Sequence, residues 1–239
     1  KGRKEMLAGT RYLHNDNLKV IKVAWELWDW QIKCVCETNC NNGWMRARVE
    51  EIARPILTSL MVGDSRRLTP VEQQKIATWI ALKCMVSEYA AGSSVTTHHM
   101  QRKRMMRTQL PPMHGWAIWI GNCDRKTKEP FWVSMPFAVF PENKRGLKLD
   151  KPPTIYNCHV TTQVINKLVI LAVRVPNSAV LDAWKFGLLD GKVLYRIWPP
   201  VKFNVVWPPN ALTENEVELV SSAVERHLFK ITNKRPKSK

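Results

Sequence analysis

Three cysteines fall within seven residues, at Cys34, Cys36 and Cys40, and run directly into Asn41-Asn42-Gly43. Asn and Gly tolerate left-handed backbone and mark a turn. The chain is therefore expected to reverse here before Trp44-Met45 opens a helix. Met45, Val49, Ile52, Ile56 and Leu60 recur at helical spacing, which predicts one inward-facing stripe. Pro55 lies inside that stripe; it has no N–H to give to the helix, so a kink or a break between two short helices is expected. Upstream, residues 19–23 and 28–34 are rich in β-branched and aromatic side chains and read as two strands. The segment is then ββα in order. Residues 1–17 have no sustained period and read as a loose lead-in.

Crowded thiols beside a turn suit a metal. Zinc is held by four thiolate or imidazole ligands, commonly in pairs roughly two to four residues apart. Cys36 and Cys40 have three residues between them, and Cys34 is the third candidate ligand. A cysteine-rich turn without metal accounts for the same residues. His14 is the nearest upstream candidate for a fourth ligand, and Cys123 and Cys158 lie far along the chain.

Beyond Gly63-Asp64 the punctuation is clear. Thr69 is placed as an N-cap with Pro70 at the first helical position and Glu72 in the first turn, an arrangement that starts a helix. Its span is set at 69–90, with Cys84 on the apolar face. A basic helix follows at 98–108, ended by Pro111-Pro112. From residue 115 the chain turns β. Strands are expected at 116–121, 132–140, 156–162, 167–175 and 192–197, with 124–129 as a charged hairpin loop. Pro136 demotes its strand to an edge. Trp198-Pro199-Pro200 and Trp207-Pro208-Pro209 read as rigid corners packed by their indoles. Thr213 to Glu216 caps a final helix at 214–228, with Val217, Leu219, Val220, Val224 and Leu228 inward. The fold class is α+β: a ββα zinc-knuckle-like region at 1–62, then at 63–239 a helical middle, a mostly antiparallel sheet and a closing helix.

Charge narrows the partners. There are 37 Lys+Arg against 20 Asp+Glu, a formal net charge of +17. Such an imbalance favours a polyanion, with nucleic acid ahead of an anionic membrane surface. Arg46 and Arg48 flank the cysteine turn, Arg102, Lys103, Arg104 and Arg107 form a second group, and Lys144, Arg145, Lys148 and Lys151 a third. A charge run is otherwise a solvated helix or loop face. No run of 18 apolar residues spans a membrane, no signal peptide is visible, and sparse, locally clustered cysteines suit a reducing compartment. A cytoplasmic protein is expected. No Ser-His-Asp signature, GxGxxG or Walker-type loop is visible, which weighs against hydrolase, dehydrogenase and NTPase readings.

Taken in order, Val35-Cys36, Cys40-Asn41-Asn42-Gly43-Trp44-Met45, Glu50 and Pro55 resemble the signature of uncharacterised bacterial and phage HNH endonuclease-like proteins. Leu68-Thr69-Pro70 with Ala77-Thr78-Trp79 and Lys83, Pro111-Pro112, Val160-Thr161-Thr162 with Ile165 and Leu168-Val169, and both Trp-Pro-Pro corners extend the resemblance over about residues 33 to 228. The upstream CxxC and Glu-His that open the family's knuckle are not present in this sequence, and its Cys36–Cys40 pair carries one residue more than the family's CxxC. The resemblance implies metal-assisted phosphodiester hydrolysis, with structural zinc and a catalytic Mg or Mn ion. Asn41 or Asn42 would orient the catalytic His and Glu50 would hold the ion. The expected partner is nucleic acid, DNA before RNA. The alternative is a non-catalytic nucleic-acid-binding or partner-binding module on the same fold.

Overall fold

The computed structural model describes residues 8–14, 20–26, 37–91, 95–124, 131–137, 157–176, 178, 181, 193–200 and 203–220. The chain opens on an antiparallel hairpin of β1 (Ala8–His14) and β2 (Val20–Glu26). The first strand thus falls inside the segment expected to be a loose lead-in. Strand pairing is a long-range gain that a search for local period does not see. The second expected strand, 28–34, lies outside the described residues, as do Cys34, Cys36 and the third basic group at 144–151.

Residues Glu37–Glu50 follow in wide helical turns that break at Gly43 (φ −89°, ψ −117°). A Cβ there would stand 3.0 Å from the Thr38 carbonyl oxygen, so the bare glycine lets the backbone pass close to that carbonyl. Helix α1 (Glu51–Val62) then runs straight through Pro55 and ends on Gly63 in the left-handed conformation (φ 89°). The break expected at Pro55 is displaced upstream. The proline cannot donate to the Glu51 carbonyl, and regular α-turns begin only at Glu51, after the wide ones. Ala53, Ile56, Leu57 and Leu60 face inward, whereas Ile52, expected on that face, is 42% exposed.

After β3 (Arg66–Leu68), α2 (Pro70–Ser87) starts on a full capping box. The Thr69 Oγ1 accepts from the Glu72 N–H (3.3 Å), and the Glu72 carboxylate accepts from the Thr69 N–H (2.9 Å). A 3₁₀ turn, Glu88–Ala91, finishes the helix. Helix α3 (His99–Thr108) is anchored by Met105 and closed by Gln109 in the left-handed region.

Among the described residues six strands make the main sheet: β4 (Trp116–Cys123), β5 (Phe131–Phe137), β6 (Cys158–Ile165), β7 (Leu168–Arg174), β8 (Leu194–Trp198) and β10 (Ala211–Leu212). Its order is β10-β4-β7-β6-β5, with β8 also against β4. All pairs are antiparallel except β10 with β4. The charged loop at 124–129 predicts a hairpin of β4 with β5. Instead β4 pairs with β7, two strands away from β5, in a Greek-key order. The physical reason is burial. β4 and β7 are buried along nearly their whole length and gain most at the sheet centre, whereas β5, carrying Pro136, is half-exposed and takes the edge. The short β9 (Val205–Trp207) pairs with β3.

Side chains alternate across the sheet, so it separates two apolar clusters. On one face Trp116, Ile118, Ile120, Leu168, Ile170 and Ala172 pack under α1 and α2. On the other Trp119, Val160, Val169, Leu171 and Val173 meet Val217 and Val220 of α4 (214–220). Leu219, expected inward, is 55% exposed; Val224 and Leu228 lie outside the described residues. Both tryptophan corners are buried, Trp198 at 2% and Trp207 at 1% exposure, and the Trp198 indole N–H donates to the Pro112 carbonyl (2.9 Å). The architecture is α+β.

Candidate functional site

The residues singled out around the cysteine turn lie on the wide-turn helix. Cys40 is half-buried, and Asn41 and Asn42 are exposed immediately before the Gly43 break. Glu50 ends that helix and pairs with Lys83 of α2 (2.5 Å). Among the described residues no three of His, Cys, Asp and Glu gather as a metal site would require. The other two cysteines of the cluster, Cys34 and Cys36, lie outside the described residues.

The basic residues separate into two kinds. Arg48, Lys103, Arg104 and Arg107 are exposed. Arg46, also exposed, reaches Glu51 (3.0 Å). On α3 the spacings 103/107 and 104/107 put Lys103, Arg104 and Arg107 on one side of the helix, opposite the buried Met105. Arg102 differs. It turns inward, its guanidinium 3.8 Å from the Glu88 carboxylate and stacked 5.1 Å above the Tyr89 ring. The pair His98-His99 starts this helix: the His98 Nδ1 accepts from the Met100 N–H (3.3 Å), and the rings lie 4.3 Å apart.

Arg102 leads to a polar cluster that no sequence motif announces. On the α2-facing side of the sheet, apolar side chains fill β4 and β7. Farther out, past the end of α2, the same face becomes polar: His159 and Thr161 on β6, Ser134 on β5, Arg174 on β7. The 3₁₀ turn delivers Glu88 there, only 1% exposed. Its Oε2 accepts from the Thr96 and Thr97 backbone N–H groups (3.1 and 3.0 Å), and its Oε1 from the two threonine hydroxyls (2.9 and 2.6 Å). His159, 5% exposed, places Nδ1 3.4 Å from Glu88 Oε1 and Nε2 2.6 Å from the Ser134 Oγ. The Ser134 hydroxyl also lies 3.3 Å from the Thr161 Oγ1.

The electrostatics follow from these partners. Burial pushes the Glu88 carboxyl up. The hydrogen bonds from His159 and from the Thr97 side chain and backbone, with the charge of His159, outweigh it and hold the group below the usual carboxylate range. Burial pulls the Arg174 guanidinium down, against the stabilising charge of Glu88. Arg174 donates to the Asn157 carbonyl, and its buried Nε has no hydrogen-bond partner among the described residues. Burial raises the Cys84 thiol to about 12, with Thr161 as its hydrogen-bond partner, as expected of a core cysteine.

Ser134, His159 and Glu88 were missed because they stand far apart in sequence on an edge strand, its neighbour and the end of a helix. The one legible signal is Glu88 itself, a carboxylate at the C-terminal end of an apolar helix, where the macrodipole disfavours it. Comparison of the chain with models of known protein families, with curated proteins and with solved structures returns no match.

Proposed function

We propose that this chain is a cytoplasmic nucleic-acid-binding module, with duplex DNA the first polymer and RNA the second. The observation that carries this reading is the exposed basic side of α3, with Lys103, Arg104 and Arg107, on a chain of net charge +17. None of these three has an acidic partner among the described residues, so each is available to a phosphate. Binding that releases counterions falls steeply with salt. Anisotropy titrations of labelled duplex DNA and of RNA, run between about 50 and 200 mM salt, test it. Arg104→Glu/Arg107→Glu should weaken binding to all sequences and reduce the salt slope by about one for each phosphate left without its cation. Undetectable binding at low salt, or binding indifferent to both substitutions, overturns the proposal.

A second reading is HNH-like phosphodiester hydrolysis. It is favoured by the exposure of Asn41 and Asn42 at the Gly43 break, one helix segment before Glu50. On this reading Cys34, Cys36 and Cys40 hold structural zinc and Glu50 serves a Mg or Mn ion once released from Lys83. Zinc near one per chain that is lost in Cys36→Ser/Cys40→Ser, with divalent-dependent nicking of plasmid that is lost in Glu50→Ala, would support it. Neither zinc nor nicking would leave binding as the function.

A further inference from the structure

A serine, a histidine and a carboxylate stand in line at the outer edge of the sheet. Ser134 is exposed on β5, His159 is buried behind it on β6, and Glu88 is buried behind His159. The spacings are 2.6 Å from Ser134 Oγ to His159 Nε2 and 3.4 Å from His159 Nδ1 to Glu88 Oε1. Each imidazole nitrogen therefore has one role. With its proton on Nδ1, facing the carboxylate, the ring leaves Nε2 open to accept from the serine hydroxyl. A purely cross-strand serine–histidine bond has no need of a carboxylate on the far nitrogen. It has still less need of one held ionised by four threonine donors at the dipole-disfavoured end of a helix.

We propose that Ser134, His159 and Glu88 form an acyl-transfer site that hydrolyses a carboxylic ester with an apolar acyl group. Ser134 Oγ attacks the ester carbonyl and forms the new C–O bond, while its proton passes to His159 Nε2. The tetrahedral adduct collapses, the bond to the alcohol breaks, and the leaving oxygen takes that proton from His159. Water, deprotonated by the same Nε2, then attacks the acyl-serine. It releases the carboxylic acid and returns the proton to Ser134. Glu88 is a positioning residue: it sets the tautomer and steadies the imidazolium. The acyl class follows from the neighbours of Ser134 on its own face of β5. Trp132, 37% exposed, and Pro136 flank it two residues away on either side. β5 is the last strand in the order of the described sheet. This inference is independent of the nucleic-acid reading.

The full chain is treated with a fluorophosphonate and digested for peptide mass spectrometry, and p-nitrophenyl butyrate turnover is followed in parallel. Labelling is expected on Ser134, with turnover, and both are lost in Ser134→Ala, an exposed substitution that leaves the core intact. His159→Gln should slow labelling by about 10²-fold or more, the worth of a general base. The charged groups facing His159 are Glu88 from the 3₁₀ turn, Arg102 from α3 and Arg174 from β7. Glu88→Gln removes the one anion among them, so the pH midpoint for labelling should fall; a midpoint that does not move would mean that Glu88 does not act on the labelling step through His159. Absence of labelling, labelling on another residue, or turnover that survives Ser134→Ala overturns the proposal.

Discussion

Glu88 is the sharpest point at which to test how this fold is held. Its carboxylate is 1% exposed and accepts from two backbone N–H groups and two hydroxyls of Thr96 and Thr97, with His159 and Arg102 alongside. Glu88→Gln and Glu88→Ala should separate. In the Gln variant the amide oxygen can still accept from both backbone N–H groups, and the hydroxyls can rotate to accept from the new NH₂. The loss is then that of charge assistance, about 1.5–3 kcal/mol. In the Ala variant the two buried N–H groups of Thr96 and Thr97 lose their acceptor, and the partly exposed Arg102 guanidinium loses its counter-charge. Removing one side of a buried pair costs about 3–5 kcal/mol. Urea unfolding followed by tryptophan fluorescence measures both. Acid titration adds a signed test. The folded carboxyl titrates below its ordinary value of 4.5, so its stabilisation is fully present above that value and is lost as pH falls through the folded pKa. The wild type should lose this increment on acidification and the Gln variant should lack it. A Glu88→Ala protein within about 1 kcal/mol of wild type would refute the reasoning, since it would mean that the buried donors find water.

Three further outcomes test other parts of the fold. Thr69→Ala removes the cap of α2 and should cost about 1 kcal/mol, read as a lower unfolding midpoint. Gly121→Ala puts a Cβ 2.4 Å from Leu194 Cδ2 and 2.7 Å from the Val193 carbonyl; such overpacking where β8 crosses β4 should cost about 1–3 kcal/mol in the same assay. Cys84, its thiol raised to about 12 by burial, should resist iodoacetamide at pH 8 in the native protein and react in urea, as read by peptide mass mapping.

Local chemistry was legible wherever one element's own backbone needed it. The capping box of α2, the buried Cys84, the strands that become β6 and β7, the edge position of Pro136 and the buried indoles of both Trp-Pro-Pro corners were all readable. Each depends on residues a few positions apart, because caps, turns and side-chain periods are set within one or two turns of chain. Ile52 and Leu219 were misplaced because their spacing agrees with the inward face, while the partner that decides the face arrives from elsewhere in the chain.

The sequence by itself therefore determined the capped helices, the longer strands of the main sheet and the excess positive charge, but not β1 or the short β3, β9 and β10. Tertiary structure alone decided which strands meet, and with that which polar groups meet. β4 finds β7 rather than β5 because burial on both faces rewards the sheet centre, and β9 returns to β3 from far along the chain. It also drew Arg102 inward to Glu88 while leaving Lys103, Arg104 and Arg107 outside, a division that the charge run does not carry. Ser134, His159 and Glu88 converge only once β5 lies beside β6 and α2 ends above them. No local period encodes such a meeting. Burial of a shared apolar core supplies the energy against the entropic cost of closing long loops, and a buried carboxylate, once enclosed, must find its donors.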